Sequence, residues 1–534
     1  MPMVRALPYA RPMCLRPLLL PLLLCLCLPV IAQNDGTARV KILNADVWQF
    51  DEKLAPGAQR LMGNVRFQHE GAIMRCDSAY LFDDQRVLAF GNVHIDQGDT
   101  LKLQGDRLEY NGRLRTARLD GNVRLRDKDM ELTTPSLDHD LRVDRAVYTE
   151  GGTIVSKVDS STLTSQAGIY HSDSRLFVFS RNVRLVHPER LIVSDTMHYA
   201  TASGLAEFFG PTTITQDSTV IRTTRGTYDT KAERARFSRR SSIDSKGRLL
   251  EGDSLYYVKE RGIGWAWGNV VISDTASDMI VRGDHGRYEE LRDRSMITGH
   301  AELVMLMDDD SLHLHADTLF TRPEDGRPGR RIHARRGVRF YKSDMQGVCD
   351  TLVYSEADST IHMRHRPALW SGTDQITGDE IRILMSDGQP HRLFVERNAF
   401  MLSKVDSTHL DQVTGTEMTG YFVEGELHRI IAEGNSRTVY FAREEKEGVE
   451  EIIGVNRVDG SRIDVYLADG QVSTISFQER PAATFFPLEK IPADEKLLKG
   501  ALWRGEERPL DRDSIFLKPE PTPELTSKMK AGER

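Results

Sequence analysis

Apolar and polar residues alternate along most of the chain, which is the period of a β-strand. In the run 101–110, Leu101 and Leu103 share one parity, whereas Leu108 and Tyr110 share the other. The apolar face therefore flips across Gly105-Asp106, as it does when a strand contains a bulge or a sharp bend. The pattern predicts long strands that each fold over a corner.

Two markers recur along the chain with the same spacing. One is the triplet Gly-Asn-Val and the other is an aspartate that opens a strand-like run. Their intervals fit one period of about 29–30 residues, which indicates a repeat protein of roughly thirteen copies between residues 38 and 478. The triplets begin at Gly63, Gly91, Gly121 and Gly268, and the aspartates are Asp46, Asp77, Asp106, Asp253, Asp284, Asp317, Asp350 and Asp379.

The pattern inside one copy selects the class of repeat. Its period of two excludes helical repeats, and no Leu-x-x-Leu-x-Leu frame recurs as in leucine-rich repeats. Each copy has two polar turns about half a repeat apart, one of them Asn111-Gly112, which favours a hairpin. A parallel β-helix would more often need three shorter strands. We therefore expect an all-β fold, an elongated antiparallel repeat of about 26 strands that forms a bent two-sheet jellyroll or trough, roughly 120 Å long.

The two ends of the chain differ from the repeats. Three arginines precede the apolar run Leu18–Ala32, which predicts a signal peptide over residues 1–32 that is cleaved after about Ala32. An uncleaved anchor and a lipid anchor are the alternatives, and the leucine before each of Cys25 and Cys27 disfavours the lipid anchor. We expect a periplasmic protein, free or associated with the outer membrane.

The C-terminal part is expected to cover the last strand. Residues 479–516 are rich in proline and contain a short helical run at Ala493–Trp503, and residues 517–534 have the composition of a disordered tail. The apolar residues available for this cap are Phe485, Phe486, Leu488, Leu497, Leu498 and Trp503.

Charge and cysteine content narrow the partners and the crosslinks. The formal net charge is −8, which argues against a nucleic-acid partner. Cys76 and Cys349 lie nine copies apart, or roughly 85 Å in the expected fold, whereas a disulfide needs Cα atoms within about 7 Å. Both are therefore expected to be free, buried thiols.

No motif for catalysis or cofactor binding stands out. The chain has no Gly-x-Ser-x-Gly, no phosphate loop and no His-Glu-x-x-His, so we expect neither an enzyme nor a cofactor. His313 and His315 share one face of a strand but have no third ligand for zinc. The aspartates are spaced too widely for a stacked calcium repeat, and we expect them to cap turns or to bind local N–H groups.

The copies resemble the OstA-like (organic solvent tolerance, LptA-type) family of periplasmic lipopolysaccharide-transport proteins. The resemblance rests on Asp, an apolar run and Gly-Asn-Val followed by an apolar residue, as in residues 76–95 and 105–125, and it recurs over 38–478. It implies a jellyroll whose groove shields the acyl chains of lipopolysaccharide or lipooligosaccharide on the way to the outer membrane, without catalysis. The implied partners are other bridge proteins joined by edge-strand addition, including an inner-membrane complex and an outer-membrane barrel.

The alternating apolar residues of the clearest copies are the candidates for the lipid groove. If they instead close on one another as an ordinary core, the alternative is a structural or adhesive β-repeat protein of the cell surface. The candidate groove residues are Val93, Ile95, Leu101, Leu103, Leu108, Tyr110, Val123 and Leu125.

Overall fold

The computed structural model describes residues 39–517, except for 51, 53–55, 99–100, 275–277, 307–309, 447–448, 469–470 and 480. The predicted signal peptide and residues 518–534 of the predicted tail lie outside the described residues.

Nearly the whole described chain forms one antiparallel sheet of 36 strand segments. Each strand pairs mainly with its neighbours in the chain, so the sheet grows by the stacking of hairpins. Numbered β1 to β36 in chain order, the segments are Lys41–Asn44, Val47–Phe50, Ala58–His69, Ala72–Phe82, Arg86–Gln97, Leu101–Asn111, Thr116–Arg126, Met130–Asp140, Arg145–Tyr148, Gly152–Ser156, Thr162–Ser165, Ala167–His171, Leu176–His187, Arg190–Ala200, Leu205–Gln216, Thr219–Asp229, Arg234–Phe237, Ser241–Ser245, Arg248–Gly252, Ser254–Val258, Ile263–Asp274, Met279–Glu289, Arg294–Met305, Leu312–Pro323, Arg330–Tyr341, Gln346–Ser355, Thr360–Arg364, Ala368–Ser371, Asp374–Thr377, Glu380–Ser386, Gln389–Lys404, Leu410–Val423, Glu426–Lys446, Val449–Ala468, Gln471–Gln478 and Ala482–Pro487.

Most strands bend near their middle, as the flip of apolar parity predicts. In β6 the buried positions change parity between Gly105 and Leu108. Eight bent strands are interrupted at the bend and count as two segments each, which leaves 28 bent strands in the described chain, close to the 26 expected. The prediction of an elongated all-β antiparallel repeat is confirmed.

In the strands that carry Gly-Asn-Val, the bend is built by two left-handed residues facing the marker aspartate of the preceding strand. Gly121 and Asn122 have φ of 79° and 45°, and the register shifts between Asp120 and Val123. The Asn122 side-chain amide donates to Asp106 Oδ2 at 2.8 Å, and a Cβ at Gly121 would lie 2.5 Å from that same oxygen. Two things therefore exclude a side chain at position 121: the left-handed φ, which glycine adopts more easily than other residues, and the close approach of the Asp106 carboxylate.

The same carboxylate contact recurs at other corners. The corresponding amide donates to aspartate at 2.8 Å for Asn64–Asp46 and Asn92–Asp77, and at 2.6 Å for Asn269–Asp253. At two other corners, His300 contacts Asp284 at 2.8 Å and Asn398 donates to Asp379 at 3.0 Å. The Asp317 carboxylate lies near Gly337, and the Asp350 N–H donates to the His365 carbonyl at 3.2 Å. The carboxylates of Asp46, Asp77, Asp106, Asp253, Asp284 and Asp379 thus bond a side chain of the following strand, and that of Asp350 accepts from the Thr351 hydroxyl, rather than from the turn N–H groups expected.

The apolar side chains on the inner face form one elongated core. The cluster is continuous from Leu61 to Leu467 and includes Cys76 and Cys349, both free and buried. Burial raises the pKa of each thiol to about 12. The prediction of two free buried cysteines is confirmed, and both thiols are expected to react slowly.

Residues 488–517 contain only short 3₁₀ turns, at Leu488–Lys490, Ala493–Glu495, Gly505–Glu507 and Asp513–Phe516. The helix predicted over 493–503 is therefore wrong beyond one 3₁₀ turn, because the Lys496 and Leu502 carbonyls accept from Gln412 and Gln375 of the sheet instead of from N–H groups of a helix. Among the described residues, none forms a helix long and apolar enough to cross a membrane.

The segment 491–517, here called the strap, runs back along the outer face of the sheet. The Lys496 carbonyl accepts from Gln412, the Leu502 carbonyl accepts from Gln375, and the Ser514 carbonyl accepts from Arg339. The expected cap over the last strand is wrong in its place: Leu498 and Trp503 pack on the outer face of earlier strands. Phe485 and Phe486 belong to the last strand segment itself and pair with β34.

Candidate functional site

The hairpin turns lie in two rows, one at each end of the bent strands. The first row includes the turns 70–71, 127–129, 157–161, 188–189, 217–218 and 246–247. The second row includes the turns 112–115, 172–175, 201–204, 230–233, 259–262 and 290–293. Side chains of the two rows contact each other across the core, and this line of contact is called the seam.

Ion pairs join the rows at regular intervals. Glu70 of the first row contacts Arg115 of the second at 3.0 Å, and Asp129 contacts Arg175 at 3.2 Å. Each of these four side chains is 35–40% exposed, so the pairs lie at the surface of the seam. They close the two arms of the sheet over the apolar core.

The same arrangement continues further along the seam. The Arg190 guanidinium donates to Tyr228 Oη at 3.2 Å and to the Thr230 carbonyl at 3.0 Å, and it lies 3.9 Å from Glu233. Lys259 contacts Asp217 at 3.3 Å, and Arg248 contacts Asp293.

In all five pairs the partners are 42–46 residues apart, or one and a half repeats. Each first-row turn therefore faces a second-row turn one and a half copies ahead.

A column of aromatic residues lies beneath these ion pairs. Tyr110, His139, Tyr170, Tyr199, Tyr228, Tyr257 and Tyr288 follow one another at 29–31 residues, each near a second-row turn. Tyr110 Oη lies 2.6 Å from His69 Nδ1, and the Tyr170 hydroxyl donates to Asp127. This column is a third marker of the repeat that the search for Gly-Asn-Val and aspartate missed, although the spacing alone would have revealed it.

Burial governs the acid–base behaviour of this column. It raises the pKa of Tyr110 to about 12, and it raises the pKa of Tyr170, where the bond to Asp127 adds to the effect. Burial lowers the pKa of His139 to about 4, so this side chain is neutral at neutral pH. These three side chains are therefore uncharged at neutral pH, and the column forms an amphipathic boundary between the apolar core and the charged pairs.

A cavity in the seam lies between the pairs Asp129–Arg175 and Arg190–Glu233. Its volume is about 700 Å³. Its inner wall is formed by core residues, among which Phe177 and Phe179 stack at 5.0 Å. Behind this wall, Phe177 also stacks on Tyr170 at 4.2 Å. The apolar residues of the wall are Met130, Ile154, Leu163, Phe177, Phe179 and Leu185.

A second cavity lies further along the chain. It measures about 230 Å³, and Asp278, Leu306, Ser359 and Asp387 stand among its lining residues at the turns. Its inner wall is also part of the core and includes Leu314. The core thus approaches solvent at two places on the seam.

All eight sequence-predicted groove residues lie in the core, at 0–5% exposure. The structure brings several of them together: Ile95 pairs with Leu103, and Leu103 pairs with Leu125. None of the eight lines the 700 Å³ cavity, whose residues the sequence analysis did not select. The residues that line the cavity belong to copies in which the Gly-Asn-Val and aspartate markers are degenerate, whereas the eight candidates were chosen from the copies with the clearest markers.

In the described part of the chain, no group of three or more His, Cys, Asp or Glu side chains is placed to hold a metal ion. His313 and His315 have separate contacts, at 2.9 Å to Glu302 and at 2.8 Å to the Ala301 carbonyl.

Comparison with known proteins supports the repeat assignment at the N-terminal end. Residues 37–195 match the family described as OstA-like protein, so the resemblance to that family is confirmed. No curated protein matches the chain. Among solved structures, the WD40 domain of SCAP from fission yeast aligns over 65% of this chain and 88% of its own at 8% identity, but its TM-score of 0.12 carries no argument.

Proposed function

We propose that this chain, OstA-like over residues 37–195, is a periplasmic conduit for lipopolysaccharide or lipooligosaccharide. Its interior shields the acyl chains, while the anionic head group stays in water. The observation that carries the proposal is the apolar core that continues from Leu61 to Leu467 as one cluster of buried side chains. An ordinary domain of this size would divide its core, whereas a conduit needs one path along its whole length.

The seam gives this core a means of opening. The arms are joined along it by ion pairs that are about one third exposed, and such pairs stabilise by only about 0–1 kcal/mol each. Parting the arms exposes apolar surface, but acyl chains that enter cover it again. Contacts between the two apolar walls are then replaced by contacts between each wall and the acyl chains, so the apolar area exposed to water changes little and the cost in hydrophobic free energy is small.

The exposed ends of the sheet fit the expected bridge partners. In the first strand, Trp48 and Phe50 are 62% and 64% exposed, and near the last strand Phe485 is 51% exposed. An open edge with apolar side chains favours addition of a strand from another protein. We therefore propose edge-strand partners at both ends, an energised complex of the inner membrane at one and an outer-membrane barrel at the other.

A second candidate is a structural or adhesive surface protein with a permanently closed core. The burial of all eight predicted groove residues favours it, because the walls touch in the structure. The two functions differ in one measurable property, which is whether a lipid reaches the inner wall in the cell.

Photocrosslinking in cells tests this property. A photoreactive residue replaces Leu103, Val123 or Leu125, which are buried, and Arg124 or Glu109 on the outer face serves as the control. We expect lipopolysaccharide adducts at the inner positions only. Crosslinks to neighbouring strands alone, with no lipid at any position, contradict the conduit and favour the closed structural protein.

A further inference from the structure

The series of ion pairs between the two rows of turns is interrupted at the cavity of about 700 Å³. By the spacing of one and a half repeats, the first-row turn 157–161 faces the second-row turn 201–204. Here Asp159 and Thr201 form hydrogen bonds with residues of their own row and not across the seam. Asp159 accepts from the Ser161 hydroxyl at 2.7 Å, and the Thr201 hydroxyl donates to the Arg175 carbonyl at 3.3 Å.

Lys231 follows the same rule, whereas Arg190, which also lines the cavity, crosses the seam to Tyr228 and Thr230. The Lys231 ammonium donates to the Ala202 carbonyl at 2.7 Å, and both residues belong to the second row. Tyr199 is the member of the aromatic column at this point. Its hydrogen bond goes to Thr230 of its own row, and burial raises its pKa. The opening thus has the aromatic side chain of the column without the bond across the seam that Tyr110 and Tyr170 make.

The rim of the opening carries an exposed apolar side chain. Val158, in the first-row turn, lines the cavity and is 76% exposed. Val155, Val186 and Leu205 are 40–45% exposed, but they lie on the outer face of the sheet, next to the buried Ile154, Leu185 and Ala206. An exposed apolar side chain at the mouth lowers the cost of moving an apolar group from water toward the interior.

Polarity inside the cavity is divided by depth. The exposed part of the lining includes the charged residues Asp159 and Lys231, whereas the apolar residues named above are buried in the core. A volume of about 700 Å³ lies in the range of roughly 300–1,000 Å³ that is common for small-molecule sites. This division fits an amphiphile that inserts a hydrocarbon chain and leaves its polar head at the surface.

We propose that the seam between turns 157–161 and 201–204 is a lateral port, through which the hydrocarbon chain of an amphipathic lipid passes between water and the core. The wall residues of the port belong to the same continuous core as Leu103 and Leu125. A chain that enters at the port therefore reaches the conduit without passing the ends of the sheet. The port rests on the proposed conduit function for its cargo, but its position is tested separately.

The test closes the port with a covalent link. In the exported full-length chain, Val158→Cys and Ala202→Cys are joined by a bifunctional maleimide. Cys76 and Cys349 are buried with raised pKa, so the introduced thiols react first. The matched control joins Glu70→Cys to Arg115→Cys, at a place where the native side chains already contact each other. The single-cysteine variants with the same reagent control for modification alone.

The readout is the rate at which a fatty acid carrying a photoactivatable diazirine labels the inner wall at Leu103, measured by mass spectrometry of the labelled peptide. We expect the link at 158–202 to slow labelling about tenfold or more, because a closed port is passed only by local opening of the sheet. The link at 70–115 should slow labelling much less, because it only fixes a pair of side chains that are already in contact.

The outcomes separate the two proposals. Labelling at Leu103 that is equally fast with both links overturns the port while the conduit stands. Labelling of the port wall at Phe177 but never of Leu103 overturns the conduit while the port stands. No labelling of either position overturns both.

Discussion

Two regions of the molecule close the same kind of core in different ways. In the seam region, residues 40–293, the outer face is charged and the two arms are held by ion pairs between their turns. In the strap region, residues 346–468, part of the outer face is itself apolar and is covered by the strap. The proposed conduit would therefore open along the turns of the seam region, whereas the strap holds the strap region from outside.

The packing under the strap explains the difference. Leu498 packs against Phe400, Leu402, Phe441 and other side chains on the outer face, and Trp503 packs against a cluster that includes Trp370. The strands here are buried on both faces, as in the run of five buried residues from Ala399 to Ser403. We infer that the strap region is the rigid part of the molecule and that the seam region is the part able to admit cargo.

The sharpest test of this contrast is Leu498→Ala. Leu498 is 4% exposed, so its truncation leaves a cavity under the strap and should lower the free energy of unfolding of the strap region by about 2–4 kcal/mol. Native-state hydrogen exchange should show the loss in amides of residues 346–455 and not in 58–200. Leu510→Ala is the control, because Leu510 lies on the same strap at 73% exposure. Equal loss in both regions would contradict the division.

A smaller loss is expected from Gln375→Leu. Gln375 is 1% exposed; its side chain donates to the Leu502 carbonyl at 2.8 Å and accepts from the Arg504 N–H at 2.6 Å. The substitution leaves both backbone groups without this partner, at a cost of about 2 kcal/mol. Urea denaturation measures the change. Gln104→Leu, on the half-exposed outer face of the seam region, should change stability by less than about 0.5 kcal/mol.

The repeat and its apolar core could be predicted from the sequence, whereas the packing on the outer face of the sheet could be predicted only in part. The parity flip at Gly105-Asp106, the recurring glycine and the buried cysteines follow from local rules, because one copy repeats the same corner. The apolar run Ala399–Leu402 carried a signal of burial on both faces that the search for alternation passed over. The strap could not be predicted, because its contacts join residues more than 80 positions apart and have no period.

The seam could be predicted from the sequence only in part. Its aromatic column has the period of the repeat and was open to detection, whereas its ion pairs join turns one and a half copies apart. That offset depends on how the bent strands are tilted in the sheet, and alternation in a single copy does not define it. The port is an irregularity in the series, so it becomes visible only after the regular pairs are known.

A third prediction concerns pH and the strap. Burial raises the pKa of Asp374 to about 7, and nearby Asp411 adds to the rise while Arg508 opposes it. A raised carboxyl pKa means that the folded strap holds a proton that the unfolded chain has lost, so its stability is greatest at low pH and falls as pH rises through about 7. Between pH 6 and pH 8 the loss is about 1.4 kcal/mol.

Hydrogen exchange of amides in 491–517, corrected for intrinsic rates, measures this dependence. Asp374→Asn removes the titrating group and should flatten the pH dependence of the strap, leaving the seam region unchanged. A dependence that persists in D374N, or one of opposite sign, would contradict the assignment to Asp374.

The smallest expected effect is the loss of an exposed ion pair of the seam region, and salt distinguishes this pair from a buried arginine of the same region. Arg115→Gln removes the surface pair with Glu70, both about one third exposed, and should cost about 0–1 kcal/mol. Arg190→Gln should cost about 1–3 kcal/mol, because Arg190 is 8% exposed and donates to Tyr228 and Thr230. Raising the salt to about 1 M screens the exposed pair and not the buried one, so it should reduce the effect of R115Q and leave that of R190Q.

The same salt change should leave the contacts of Leu498 intact, since apolar packing is not screened. Labelling of the inner wall by the diazirine lipid should therefore become faster in high salt if weak pairs set the opening of the seam. Should salt instead accelerate exchange in the strap region first, the strap would be the mobile element, and the assignment of rigidity to the strap region and of opening to the seam region would have to be reversed.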